Sequence, residues 1–176
     1  MLDYFSKEIE LKKETLYNCK MVQAQDGVSV ESDTLGALLY PLEGDTFALD
    51  MVIKPERYHE FGIALHVDKE LETGYFLRMN PKNQLVAWDM WPRGEQGRYQ
   101  WQIKGDVPYQ IETARKLPKA EEYRVHIIKE KDICVVYIND EIVLSTRMYN
   151  HKDGYAGIYV VQGDVKLIQY KEKRSE

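Results

Sequence analysis

The stretch Cys134–Asn150, CVVYINDEIVLSTRMYN, sets two runs rich in β-branched and aromatic residues on either side of Asn139-Asp140. Asn and Asp tolerate the left-handed backbone conformation that a two-residue hairpin loop demands, so the stretch reads as strand, tight turn, strand. Cys134, Val136 and Ile138 fall on one side of the first strand, Val135 and Tyr137 on the other. Apolar on both sides, this strand is expected to be covered outside as well, by a loop or by another domain.

Period-two alternation extends outward from this hairpin in both directions. In TFALDMVIK, Phe47, Leu49, Met51 and Ile53 share a face; in FGIALHVD, Phe61, Ile63, Leu65 and Val67 point inward while Gly62, Ala64, His66 and Asp68 point out. GYFLRMN and, after the turn NPKN, NQLVAWDMW complete what reads as a four-strand antiparallel meander. EYRVHIIKE sets Tyr123, Val125 and Ile127 against Arg124, His126 and Ile128. In GYAGIYVVQGDVKLIQYKE, Gly163-Asp164 reads as one more hairpin turn. CKMVQA, VSVES and LGALLY are shorter strand candidates near the start, and SKEIELKKETLYN admits a helical turn. The expected fold is all-β: a two-sheet antiparallel β-sandwich burying the alternating residues between its sheets.

The 176 residues suffice for a single domain with a full core, and no Pro/Gly/Ser-rich linker divides them. The net charge is −5 and the 24 Lys and Arg are dispersed, which is not a nucleic-acid footprint. No apolar run approaches the ~20 residues of a membrane span. The opening residues, MLDYFSKEIELKKE, carry charges where a signal peptide needs an apolar core, which would leave a complete chain in the cytoplasm. Cys19 and Cys134 are expected to be reduced thiols.

Phosphate-loop, nucleophile-elbow, zinc and EF-hand patterns are lacking, so no catalytic residue, metal or cofactor is assigned. HVD and HKD each place His and Asp two apart, as metal ligands or as ordinary sheet and turn residues. The stretch VAWDMWPRGEQGRYQWQIKG holds all three tryptophans, Trp88, Trp91 and Trp101, together with Asp89, Arg93, Arg98 and Tyr99. Such residues either pack in the core or offer a sugar an aromatic platform edged with hydrogen-bonding groups. Alternation puts Trp88 opposite Asp89 and Trp91. The reading is Trp88 as packing, Trp91 with Arg93 as the contact pair, and Tyr99 and Trp101 bordering the same cleft. The small outward residues Gly62 and Ala64, with His66 beside them and Arg78 on a neighbouring strand, mark a place where a loop, a domain or a ligand approaches closely.

FGIALHVDKELETGYFLRMNPKNQLVAWDMWPRG resembles the C-terminal β-sandwich of glycoside hydrolase family 32, the fructan- and sucrose-cleaving enzymes. That module carries an FGI strand and then a strand ending nkLvvDR. Asp89 matches the aspartate, and the arginine has no match. ICVVYINDEIVLSTRMY is similar to the module's closing hairpin, and GIYVVQGDVKLIQYK to its last strands, so the likeness spans about Gly44 to Lys171. The resemblance implies a concanavalin-like jelly roll spanning residues 1–176, excised from the C-terminal part of a longer protein. The family's catalytic motifs, on a separate propeller, have no counterpart here. The resemblance therefore implies a non-catalytic accessory module. Its partners would be the parent's catalytic propeller and saccharide, with no nucleic acid and no membrane. The alternatives are a stand-alone lectin-like carbohydrate-binding module and a small glycoside hydrolase on the same fold.

Overall fold

The hairpin closes as read. Strands β11 (Ile133–Ile138) and β12 (Ile142–Arg147) pair antiparallel, with Tyr137 opposite Val143. Both loop residues are left-handed, Asn139 at φ 50° and Asp140 at φ 57°, the backbone that matches the twist of paired strands. The Asn139 side chain accepts a hydrogen bond from the Arg124 backbone at 2.8 Å and so ties the turn to β10 (Tyr123–Glu130).

This computed structural model describes residues 4–91 and 109–175. Among the described residues there are thirteen strands, one short 3-10 turn and no α-helix. The remaining strands are β1 (Lys7–Glu8), β2 (Thr15–Tyr17), β3 (Lys20–Ala24), β4 (Gly27–Leu42), β5 (Thr46–Arg57), β6 (Glu60–Val67), β7 (Gly74–Asn80), β8 (Leu85–Trp91), β9 (Tyr109–Gln110) and β13 (Gly154–Arg174). SKEIELKKETLYN holds β1, irregular chain and β2, with no helical turn. Its apolar residues have no helical period, and the two short strands gain hydrogen bonds from β13 and β4 instead.

The hydrogen-bonded order is β12-β11-β10-β5-β13-β6-β7-β8-β9, with β4 along β13 and β2 and β3 along β4. Two layers arise because β13 and β4 serve both. Gly154–Val161 pairs with β6 and with Leu35–Leu42 of β4, whereas Asp164–Lys173 pairs with β5. The expected four-strand meander is thus β6-β7-β8 only, and β5 belongs to the other layer with β13 between it and β6. Gly163-Asp164 is no hairpin either. A register shift between Val161 and Gly163 bends one continuous strand, and Gly163 is needed for closeness: a Cβ there would lie 1.9 Å from the Arg57 carbonyl oxygen.

The core lies between the layers. Phe47, Leu49, Met51 and Ile53 of β5 and Tyr123, Val125 and Ile127 of β10 face Phe61, Ile63 and Leu65 of β6, Leu77 of β7 and Trp88 of β8. The Phe61 and Tyr123 rings meet 6.0 Å apart across the gap, although their strands are not paired. Cys134, Val136 and Ile138 join this core, and both cysteines are free thiols.

One alternation breaks. Leu65 pairs near Ala156 and Val67 opposite Tyr155, which leaves His66 as the extra residue of a bulge, at φ 52°. The bulge inverts the phase. Val67, expected inward, joins the outer face, and His66, expected outward, is 2 % exposed beside the Phe47 ring at 5.6 Å.

Candidate functional site

The outer face of the β6-β7-β8 layer is built by residues of one parity. The inward positions Leu77 and Met79 of β7 and Val86, Trp88 and Met90 of β8 are core. Their neighbours Phe76, Arg78, Asp89 and Trp91 therefore face the other way. Across the sheet, Tyr159, Gly62 and Arg78 lie in one row, and Gly157, Ala64, Phe76 and Asp89 in the next. The glycines and alanine leave a trough between larger side chains. A Cβ on Gly62 would stand 2.8 Å from Tyr159 Cε1 and 1.9 Å from the Leu77 carbonyl oxygen, so only glycine lets the tyrosine ring lie down there.

The trough deepens into a cavity of about 400 Å³. Phe76, Trp91, Tyr17 and Tyr159 supply its rings, Leu35, Leu71 and Val161 its aliphatic walls, and Glu60, Glu70, Glu72 and Asp89 its carboxylates. The Phe76 and Tyr159 rings meet edge to face at 5.6 Å. Glu70, Leu71 and Glu72 come from the β6–β7 loop, which Asp68 pins. Its carboxylate accepts from the backbone of Glu72 at 2.7 Å and of Thr73 at 3.3 Å.

The polar groups of the floor are already ordered. Arg78 Nε donates to Asp89 Oδ2 at 2.8 Å, reaching diagonally past Phe76, which is Asp89's direct partner. The Tyr159 hydroxyl donates to Glu60 Oε1 at 3.1 Å. Burial pushes both carboxyls above the usual range: Glu60 despite the tyrosine bond, Asp89 despite the guanidinium. Burial also holds the Tyr159 hydroxyl protonated. The result is a partly desolvated cleft with fixed donors and acceptors and aromatic walls. Asp89 is committed to arginine and Glu60 to tyrosine, which suits them to orient hydroxyls.

Of the residues nominated from sequence, Trp91 stands in the cavity wall and Arg78 directly behind Asp89. His66 does not belong to the site, because its bulge turns it into the core. Arg93, Tyr99 and Trp101 lie outside the described residues. Trp88 is fully buried, as expected of a packing residue on the opposite face, and its indole nitrogen has no hydrogen-bond partner among the described residues. Glu60, Phe76 and Tyr159 were not nominated. Phe76 shares parity with Arg78 in GYFLRMN, a usable signal, whereas Tyr159 and Glu60 meet only through the β6–β13 register.

The HVD and HKD pairs do come near one another, since Val67 pairs opposite Tyr155. Asp68 serves its loop and His66 turns inward, and among the described residues no group of three His, Cys, Asp or Glu is placed to hold an ion. On the outer face of the other layer, a second cavity of about 560 Å³ is lined by Asp50, His126, Tyr137 and Lys173, among others. Asp50 is bonded there to His126 Nδ1 and lies 2.7 Å from Lys173 Nζ, so its carboxylate is already paired.

Fold and face together define an antiparallel β-sandwich with a cleft on one outer face. No family model and no curated protein matches the sequence. Solved structures do match in shape. A carbohydrate-binding module, CBM66 from Bacillus subtilis, superposes with a TM-score of 0.75 at 17% identity, covering 93% of this chain and 96% of that one. The exoplasmic/lumenal domain of VIP36, solved with Ca²⁺ and Man3GlcNAc, gives 0.64 at 10% identity over 93% and 84%. A protein from Parabacteroides distasonis described as a "putative glycosyl hydrolase" gives 0.62 at 16% identity over 93% and 88%. At these identities the likeness establishes the fold.

Proposed function

We propose that the chain is a non-catalytic saccharide-binding module whose site is the cavity on the outer face of β6, β7 and β8. The observation that carries this reading is the combination, in one cleft, of the Phe76, Trp91 and Tyr159 rings with the Arg78–Asp89 and Tyr159–Glu60 pairs. A sugar ring lays its C–H face on an aromatic ring and presents hydroxyls to charged acceptors and donors. Hydrolysis would ask one of the two carboxylates for a free acid and the other for a free base or nucleophile, and Asp89 and Glu60 are both bonded in place. Support from shape comes from a carbohydrate-binding module and a saccharide-bound lumenal domain with this fold.

The finer reading is an accessory module that packs against a catalytic propeller of the glycoside hydrolase family 32 type. It rests on the resemblance over Gly44–Lys171. It is also supported by the exposed Ile133, Tyr137 and Val143 side chains on the outer side of β11 and β12, a face expected to be covered.

Calorimetric titration with levan, inulin, glucan and galactan oligosaccharides tests the binding reading. At least one should bind, and Phe76→Ala and Asp89→Asn should each weaken that binding about tenfold or more while leaving the melting transition cooperative. Binding that both variants leave intact would place the site elsewhere.

A further inference from the structure

The charge lining the cavity is one-sided. Among the described residues its walls hold four carboxylates, Glu60, Glu70, Glu72 and Asp89, and no Lys, Arg or His. Arg78 stands behind Asp89 at 2.8 Å and offsets one of the four. Lys69, on the same loop as Glu70 and Glu72, lies over the Tyr155 ring 5.7 Å from its centroid. Glu70 and Glu72 stand at the exposed mouth, and Glu60 and Asp89 sit deeper. A ligand therefore passes two carboxylates to reach two more.

Resting on the saccharide reading, we propose that this cavity selects neutral or amine-bearing sugars and rejects sugars that carry a carboxylate, sulfate or phosphate. Among the described residues, an anion entering this partly desolvated cleft meets like charge at both depths, with one guanidinium, already bonded, to offset it. An ammonium meets the opposite: carboxylates at the mouth and the faces of Phe76 and Trp91 inside. A neutral sugar keeps the stacking and hydroxyl contacts without a charge term. The net repulsion from the exposed mouth is screened by salt, so part of the discrimination should fade as ionic strength rises.

The test is a ¹H–¹⁵N NMR titration with three sets of small probes. These are methyl glucoside, glucosamine and methyl glucuronide; methyl galactoside, galactosamine and methyl galacturonide; and fructose with fructose 6-phosphate. In the set whose neutral member shifts the Phe76 and Tyr159 amides, the anionic member should bind at least tenfold more weakly, and the amine, where present, at least as tightly. Raising sodium chloride from 20 to about 500 mM should narrow the gap. The double variant Glu70→Gln, Glu72→Gln should raise the affinity for the anionic member several-fold. An anionic sugar that binds as tightly as its neutral counterpart, with shifts at the same amides, would overturn the charge selection and leave the saccharide site standing. No probe of any charge shifting those amides, with the oligosaccharide titrations also silent, would overturn the site and the selection together.

Discussion

Trp88 is fully enclosed, and its Nε1–H has no hydrogen-bond partner among the described residues. Removing the whole ring should cost more than trimming the indole to a phenyl, which takes away three ring atoms. Trp88→Ala is expected to lower unfolding free energy by about 3–5 kcal/mol, and Trp88→Phe by about 1–3 kcal/mol, in urea melts. His66 makes a second prediction at this scale. Burial first, and then the Lys129 charge, lower its pKa from 6.5 to about 4, against the pull of the Asp153 carbonyl and carboxylate. The folded state thus binds this proton less readily than the unfolded state. Stability is full above about pH 6.5 and falls as pH drops toward 4, by about 3 kcal/mol in total. His66→Asn, which keeps a residue tolerant of the left-handed backbone, should flatten that slope. Asp50 titrates in a different window. Its hydrogen bond to His126, together with Lys173, holds it down to about 2 from 3.8. Its contribution of about 2 kcal/mol persists above pH 3.8 and is lost only as pH falls through 2. Urea midpoints against pH for the wild type, His66→Asn and Asp50→Asn separate the two. A His66→Asn curve that slopes between pH 6.5 and 4 as steeply as the wild type would refute the assignment; burial also lowers the His151 pKa, so a smaller slope remains.

At the scale of strands, two glycine-related positions invite opposite outcomes. Asp140 holds a left-handed backbone in the β11–β12 turn, where glycine carries no steric penalty, so Asp140→Gly should stabilise by roughly 0.5 kcal/mol. Gly163→Ala would push a Cβ against the Arg57 carbonyl oxygen and should destabilise by about 1–3 kcal/mol, or more if β13 cannot shift. Thermal melts of both variants provide the check. The same two positions show what the sequence makes legible. Asn139-Asp140 is readable because the turn is local and its chemistry lies in adjacent residues. Gly163-Asp164 carries the same local signal, but the glycine answers to Arg57, over a hundred positions earlier. Alternation likewise reveals the inward face of β5, β7, β8 and β10, and hence Trp91 and Arg78 on the outer face. It fails at His66, because one extra residue in β6 reverses every later assignment on that strand. The β5–β13 pairing and the meeting of Tyr159 with Glu60 join residues about a hundred apart. No local pattern announces such contacts.

For the whole molecule, a far-ultraviolet circular dichroism spectrum should show antiparallel sheet with almost no helix, and a helix-dominated spectrum would contradict the fold. Incubated alone with sucrose, inulin, levan or aryl glycosides, the protein should give no turnover above buffer. Turnover abolished by Glu60→Gln or Asp89→Asn would make it a hydrolase instead. The architecture also bears on how the chain comes into being. β13 is hydrogen-bonded to β1, β4, β5 and β6, and among the described strands it is the one paired with both β5 and β6. A ribosome delivers this strand after every other one described. Until Gly154–Arg174 has emerged, β5 and β6 each present an open edge and the two core faces have no common spine. Folding of the sandwich is therefore expected to wait until β13 has emerged, with the nascent chain dependent on chaperones while those edges stay open. A polypeptide released at Asp153 should be protease-sensitive and prone to aggregate, and adding residues 154–175 as a separate peptide should recover only part of the soluble fold.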